Sequence, residues 1–297
     1  MQITRVLVVY KKSYYELYGS EHSEHHFAAL QARQHPIVQT LQHSHAENQR
    51  TLEAVCTALE AVGLSYDCLY RGDLESVSRY DMLLSVGGDG TFLEVARYTV
   101  DTPVLGVNSD PSRSTALFCA ATRTTIQQRL EALLAGTLRE TRLARLQMSI
   151  NETLLPHHAL NDVLIAHVEP AAMTSYTLRL GTVSEDQKSS GIWVSTAAGS
   201  TAAIRAAGGR VMPLRSRKLQ YLVREPYVGD GSHYRLLKGF VSPDEVLYFT
   251  SKMRRGGLFI DGPHLRVPLG LGDTLQVTTN ATPVRVIGLD SARRQRF

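Results

Sequence analysis

Cysteine is scarce in this chain: Cys56, Cys68 and Cys119 are the three in 297 residues. Their wide spacing excludes a disulfide framework and a cysteine-based metal pattern, and it fits a reducing compartment. No apolar stretch approaches the length needed to cross a bilayer, so no membrane partner is expected. No signal peptide is expected either, because Arg5 interrupts the start and Val6 to Tyr10 already reads as a strand. Cytoplasm is the default location. Internal repeats and low-complexity segments are lacking. Basic residues are not interleaved with aromatics, which argues against nucleic acid. The net charge of +4, with a pI near 9.0, suits an anionic small molecule instead. The composition, 43% hydrophobic and 20% charged, is that of an ordinary globular protein, and the length is comfortable for two domains.

What the chain does have is a change of grammar near Gly136. Before it, strands alternate with helices. Residues 3–10 read as a strand buried on both faces, Ala46 to Val62 as an amphipathic helix capped by Gly63, Leu64 to Tyr70 as a second strand and Val104 to Asn108 as a fourth. Thr122 to Leu134 reads as a helix N-capped by Thr122 and ended by Gly136. Such alternation indicates a Rossmann-like parallel α/β sheet. After Gly136, short alternating runs dominate, at 141–150, 159–168, 174–181, 246–250, 257–261, 264–268, 274–279 and 283–289. These predict a mostly antiparallel β domain. The expected division is an α/β domain over 1–138 and a β-rich domain over 139–285, with the tail 286–297 packing back on the first. One segment fits neither grammar. It runs from Lys11 to about His43, and His22, His25, His26, His35, His43 and His45 stand in it or at its end. His22 and His26 could share a helix face, but no acidic or cysteine cluster completes a ligand set. A solvated or partly mobile insertion is expected there, and no metal site.

The third strand, Met82 to Val86, runs into Gly87-Gly88-Asp89-Gly90-Thr91, after which Phe92, Leu93, Val95 and Ala96 fall at helical spacing. Glycines allow positive φ and let a ligand approach without meeting a Cβ. Backbone N–H groups at a helix start favour phosphate. Asp89 is out of place beside a phosphate and so needs a task. It could accept a proton from a substrate hydroxyl or act on a metal held by phosphates; it could also simply cap the helix. Ligands of parallel sheets bind outside the carboxyl ends of the strands, where Asn108 also lies. Arg113, in the polar loop that follows, could meet a phosphate or stand as a surface arginine. A second strand, small-residue turn and helix start occurs at Val194 to Ala207, where Thr196, Ser200 and Thr201 offer hydroxyls.

Taken together, these blocks resemble the ATP-dependent NAD kinases. The resemblance rests on Gly87-Gly88-Asp89-Gly90-Thr91, Leu105-Gly106-Val107-Asn108, Leu160-Asn161-Asp162-Val163, Ser190 to Thr196 with Gly199-Ser200-Thr201-Ala202, and Phe259-Ile260-Asp261-Gly262 with Pro283-Val284-Arg285, in that order. It covers most of the chain from residue 46. Val107-Asn108-Ser109-Asp110-Pro111 and Gln187-Lys188-Ser189-Ser190-Gly191 are similar to the organellar branch, which includes kinases preferring NADH. Ser190, Ala203, Leu117 and the stretch 214–218 depart from the commonest family pattern. The resemblance implies transfer of the γ-phosphate of ATP to the 2′-hydroxyl of the adenosine ribose of NAD or NADH. It implies Asp89 as the proton acceptor, and Gly87, Gly88, Gly90, Thr91 and Phe92 around the triphosphate with Mg²⁺ on its oxygens. Asn108 and Arg113 join that set, and Asn161 and Asp162 hold the ribose and adenine. Thr196, Gly199, Ser200, Thr201 and Ala202 approach the dinucleotide, and Asp261 reaches it from another subunit. A homodimer or larger assembly is implied. A lipid kinase of the diacylglycerol or sphingoid type, and a non-catalytic dinucleotide sensor, are the alternatives.

Overall fold

The computed structural model describes residues 3–21, 24–229 and 233–289. They fall into two compact units, one running to Thr141 and resuming at Arg285, the other spanning Arg142–Val284.

The first unit opens with β1 (Arg5–Tyr10), a short α1 (Tyr14–Glu16), α2 (His25–Ala32) and α3 (Pro36–Ala61). Then come β2 (Ser65–Tyr70), β3 (Met82–Gly87), α4 (Asp89–Tyr98), β4 (Val104–Asn108), β5 (Cys119–Thr122), α5 (Ile126–Leu134) and β6 (Glu140–Leu143). The apolar runs of β1, β3 and β4 are buried on both faces, as a parallel strand between helix layers requires. Val6, Val8, Met82, Leu84, Leu105 and Val107 share one core with Val55 and Leu59 of α3 and Ile126 and Leu130 of α5. Helix α4 follows β3 after the single residue Gly88 and packs against β3, β1 and β4. Among the described residues every pairing of β1, β3 and β4 is parallel.

The second unit holds β7 (Gln147–Ile150), β8 (Thr153–Leu154), β9 (Asp162–His167), β10 (Thr174–Leu180), β11 (Val183–Ser189) and β12 (Ile192–Ser195). A 3₁₀ turn at Gly199–Thr201 and a four-residue α6 (Ala203–Ala206) follow. Next are β13 (Leu219–Val223), β14 (Lys238–Val241), β15 (Leu247–Ser251), β16 (Gly256–Ile260), β17 (Leu265–Leu269) and β18 (Thr274–Thr278). They form two six-stranded antiparallel sheets, ordered β11-β10-β15-β18-β7-β8 and β14-β13-β12-β9-β16-β17. Tyr176, Leu178, Phe249 and Val277 of one sheet share a core with Val163, Ile165, Val194 and Leu258 of the other. Alternation is what makes this possible: in β18, Leu275 and Val277 point inward and their neighbours do not. The last strand, β19 (Val284–Ile287), joins the first sheet, in the order β2-β1-β3-β4-β19-β6 with β5 on β4.

Four expectations need correction. β19 alternates like its predecessors in sequence, yet it pairs parallel to β4 through Val286 and Val104. Arg285 secures it there, with Nε and Nη2 donating to Glu140 at 2.9 and 2.7 Å. The run 141–150 is two strands in two different sheets. Thr122 ends β5 rather than capping a helix, and α5 starts four residues later at Ile126. The histidine-rich segment is helical where it is described, and α3 begins at Pro36, ten residues before the expected start. His35 Nδ1 accepts from the Ile37 N–H, and Pro36 suits the first helical position. Phe27 is buried, with Tyr15 and Tyr18 against its ring at 5.8 and 6.2 Å. His22 lies outside the described residues. Cys56 and Cys68 are free thiols whose sulfurs stand 3.7 Å apart.

Candidate active site

The first candidate site is the β3–α4 turn. Gly88 occupies the N-cap position, and its carbonyl accepts from the N–H groups of Thr91 (3.0 Å) and Phe92 (3.2 Å). Asp89 is the first residue of α4. Positive φ, one of the two reasons expected for the glycines, is not used at Gly87, Gly88 or Gly90. Close approach is the reason that operates. A Cβ on Gly87 would collide with Thr91 Oγ1, whereas one on Gly90 would meet nothing within 4 Å. Gly87 is therefore a packing requirement, and Gly90 leaves open space at the helix start. The ten-residue α4 adds its dipole there.

Asp89 is held from across the turn. Its Oδ2 accepts from the Leu117 N–H at 3.0 Å and its Oδ1 from the Phe118 N–H at 2.9 Å. Two fixed donors orient the carboxylate more firmly than a capping role would need. Leu117, where the sequence departs from the family pattern, contributes through its backbone, which any side chain permits. Phe92, expected in the binding set, is a core residue instead. Its ring is fully buried and stacks on Phe118 at 5.1 Å, a burial that stabilises by roughly 1.5–3 kcal/mol.

A cleft of about 360 Å³ opens beside this turn, lined by Gly88, Asp89, Gly90 and Thr91 together with Lys11, Lys12 and Arg71. Sequence reasoning missed these three cations. Lys11 and Lys12 directly follow β1, and Arg71 directly follows β2, at the carboxyl ends of parallel strands. The same rule that placed Asn108 would have found them. Burial lowers the Lys11 ammonium below its ordinary value, with Asp110 opposing that effect. Lys12 Nζ lies 4.4 Å from the centre of the Tyr70 ring, a cation–π contact that fixes its stem.

From the loop after β4, Ser114 also lines the cleft. Asn108 pairs in register with Gly87, so the turn and Asn108 do meet at one sheet edge. Its side chain is occupied locally, donating from Nδ2 to the Ser114 carbonyl (2.7 Å) and accepting the Asp110 N–H (3.1 Å). Arg113 takes a role not foreseen. Its Nη1 donates to the Thr40 carbonyl of α3 at 2.6 Å, and its Nε stands 3.9 Å from Asp110. Asp110 also accepts from Ser44 at 3.0 Å, and Ser109 donates to Asn48. Thr40, Ser44, Asn48 and Thr51 lie at helical spacing, and this polar stripe holds the loop. It explains why the first half of α3 has no apolar signature.

The second candidate site lies within the β unit. Asp261, at φ +49°, accepts three backbone N–H bonds: Oδ2 from Leu160 (2.8 Å), and Oδ1 from Asn161 (2.8 Å) and Asp162 (3.2 Å). Its place is thus on the Asn161-Asp162 turn of its own chain. Asn161 Oδ1 is buried without a hydrogen-bond partner. Burial, and then the Asp261 charge, pushes Asp162 up to about 7. The small-residue turn packs on this pair. The Thr196 N–H donates to the Asn161 carbonyl at 2.9 Å, and Thr196 Oγ1 to that of Leu160. Gly199 donates to Thr196 Oγ1 at 3.1 Å, and a Cβ on it would strike the Asn161 backbone. Ser200 Oγ donates to the Ala197 carbonyl and accepts the Met212 N–H, both at 2.8 Å. Ala202 donates to the Gly199 carbonyl at 2.8 Å, and Thr201 is half-buried between them. Among the described residues no helix is long and apolar enough to cross a membrane.

Comparison with known proteins gives concordant matches. Residues 1–137 match the ATP-NAD kinase N-terminal domain. A probable NADH kinase of Oryza sativa subsp. japonica is 33% identical over 263 residues, covering 81% of both chains. The NADH kinase of Arabidopsis thaliana is 38% identical over 247 residues, covering 73% of this chain and 75% of its own. In fold, the chain matches the crystal structure of yeast NADH kinase complexed with NADH at a TM-score of 0.71 and 14% identity, over 100% of this chain and 86% of that one. It matches an NAD kinase from Archaeoglobus fulgidus in complex with ATP at 0.68 and 18%, over 99% and 96%.

Proposed function

The chain belongs to the NAD kinase family, and on that premise we propose that it transfers the γ-phosphate of ATP to the 2′-hydroxyl of the adenosine ribose of NADH or NAD, with Asp89 as the proton acceptor. The observation that carries the assignment is the Asp89 carboxylate, fixed by two backbone N–H groups beside an open glycine turn. The ribose oxygen forms a bond to phosphorus as the bond to the ADP leaving oxygen breaks, and the hydroxyl proton passes to Asp89. Phosphoryl transfer of this kind needs positioning and charge neutralisation more than covalent help. Gly88, Gly90 and Thr91 leave room for phosphate, and Lys11, Lys12 and Arg71 supply countercharge. Among the described residues no group of three His, Cys, Asp or Glu side chains is gathered to hold a metal. A cation such as Mg²⁺ would ride on the phosphates of the donor, and it supplies further neutralisation of their charge.

In the β unit, Asn161 and Asp162 are assigned to the ribose and adenine of the dinucleotide. Asp261 holds their turn, and Thr196, Gly199 and Ser200 support it from behind. The unpartnered Asn161 Oδ1 is a ready acceptor. NADH is the preferred acceptor in this scheme, supported by the names of the two plant relatives. Assembly as a homodimer or larger, and a cytoplasmic setting, belong to the same proposal; three cysteines that form no disulfide are consistent with the latter. The test is NADP(H) formation from ATP with NAD and NADH as separate acceptors. Product from either, faster from NADH, is expected. Turnover of a diacylglycerol or sphingoid lipid alone, or dinucleotide binding without product, would overturn it.

A further inference from the structure

The cleft at the glycine turn contains two polar atoms that the fold leaves without a partner. One is Thr91 Oγ1, on a residue 1% exposed; the other is Asn48 Nδ2, on a residue 8% exposed. Both residues line the same cleft of about 360 Å³. A buried N–H group without an acceptor is costly, and such groups are rare unless something binds there. The Asn48 carboxamide is fixed in place, because its Oδ1 accepts the Ser109 hydroxyl and its backbone lies within α3. That bond leaves the NH₂ as the free end. Around it stand Lys11, Lys12 and Arg71 against the one carboxylate lining the cleft, Asp89. An occupant for such a place is an anion rich in acceptor oxygens.

We propose that Asn48 is a binding residue for the phosphoryl donor, its Nδ2 donating to an oxygen of the polyphosphate chain. The inference rests on the kinase reading and adds to it a residue from α3, outside every block that resembles the family. The half-buried Lys11 stands in the same wall, where an anionic ligand also gives its ammonium a counter-charge.

Asn48→Asp separates the ligand role from the structural one. The aspartate keeps an oxygen for Ser109 and replaces only the NH₂ by an acceptor. Calorimetric titration of the full chain with ATP and with inorganic tripolyphosphate reads the result. A dissociation constant raised about 10- to 100-fold for both is expected, the loss of a hydrogen bond to a charged group. The KM for NADH and the melting temperature should stay near wild type. Asn48→Leu, which removes the donor without adding charge, should give about a tenfold loss. Ser109→Ala, which breaks only the internal bond, should melt earlier and keep donor affinity. Unchanged donor affinity in Asn48→Asp, or equal weakening in Ser109→Ala, overturns the inference. If wild type binds tripolyphosphate, loses it on Asn48→Asp and makes no NADP(H), the binding residue stands and the kinase reading falls.

Discussion

Two places in this molecule are written in the same way, a strand, a run of small residues and a helix start, and they do opposite things. At Gly87–Thr91 the turn opens on a cleft, the Thr91 hydroxyl has no partner and a ten-residue helix follows. At Thr196–Ala202 the hydroxyls of Thr196 and Ser200 are both spent inside the fold, and the helix that follows has four residues. Glycine divides along the same line. Gly90 has empty space where its Cβ would be, and Gly199 has the Asn161 backbone. The first turn leaves the Thr91 hydroxyl without a partner beside the cleft. The second spends its hydroxyls inside the fold, Thr196 on the Leu160 carbonyl and Ser200 on Ala197 and Met212. A shared sequence grammar thus says that a backbone turns sharply, not which side of it stays free.

The largest effect expected from breaking this contrast is at Asp89. Asp89→Asn should lower kcat by about 10²–10⁴ with the circular dichroism spectrum retained, and normal turnover would remove the carboxylate from the chemistry. Gly199→Ala should destabilise the protein by on the order of 3 kcal/mol in urea unfolding, since backbone cannot yield to the new methyl. Gly90→Ala should leave stability within about 0.5 kcal/mol and weaken ATP binding. Equal stability in the two variants would erase the distinction between the turns.

Asp162 gives a prediction in pH. Its value of about 7 in the folded state lies above the 3.8 of an unperturbed aspartate, so the folded chain holds the proton more tightly. Stability should therefore fall as pH rises from about 4 to about 7 and then level off. Asp162→Asn should abolish that fall, making the variant more stable than wild type at pH 8 by about 4 kcal/mol in urea unfolding, and close to it at pH 4. The smallest contrast is between hydroxyls. Ser200→Ala orphans the Met212 N–H and should cost about 1–2 kcal/mol, while Thr91→Val removes an unpartnered atom and should cost less than about 0.5 kcal/mol in the same assay. Thr91→Val should still raise the KM for ATP.

Much of the first sheet was legible because β1, β3 and β4 are buried on both faces and must be apolar throughout. The ten residues of α4 were legible for the same reason, with Phe92, Leu93, Val95 and Ala96 on its inner side. The edge strand β11, with the sequence Val-Ser-Glu-Asp-Gln-Lys-Ser, was not, since an edge facing water needs no apolar period. The first half of α3 was missed because its inner face bonds to a loop rather than packing on a sheet.

By itself the sequence determined where strands end in sharp turns, and which residue types stand at those ends. Local sterics and hydrophobic period act over a few residues, so they are written in neighbouring letters. Only the tertiary structure decided which polar atoms remain free there. The N–H groups of Leu117 and Phe118 reach Asp89 from 28 and 29 residues away, and Asp261 reaches Asn161 from 100 away. A hydrogen bond has one donor and one acceptor, and which partner a group finds depends on what folding brings beside it. The proposed roles of Asp89 and Asn48 rest on that: one carboxylate is held in place by distant backbone, and one amide, bound through its oxygen to Ser109, keeps an NH₂ without a partner.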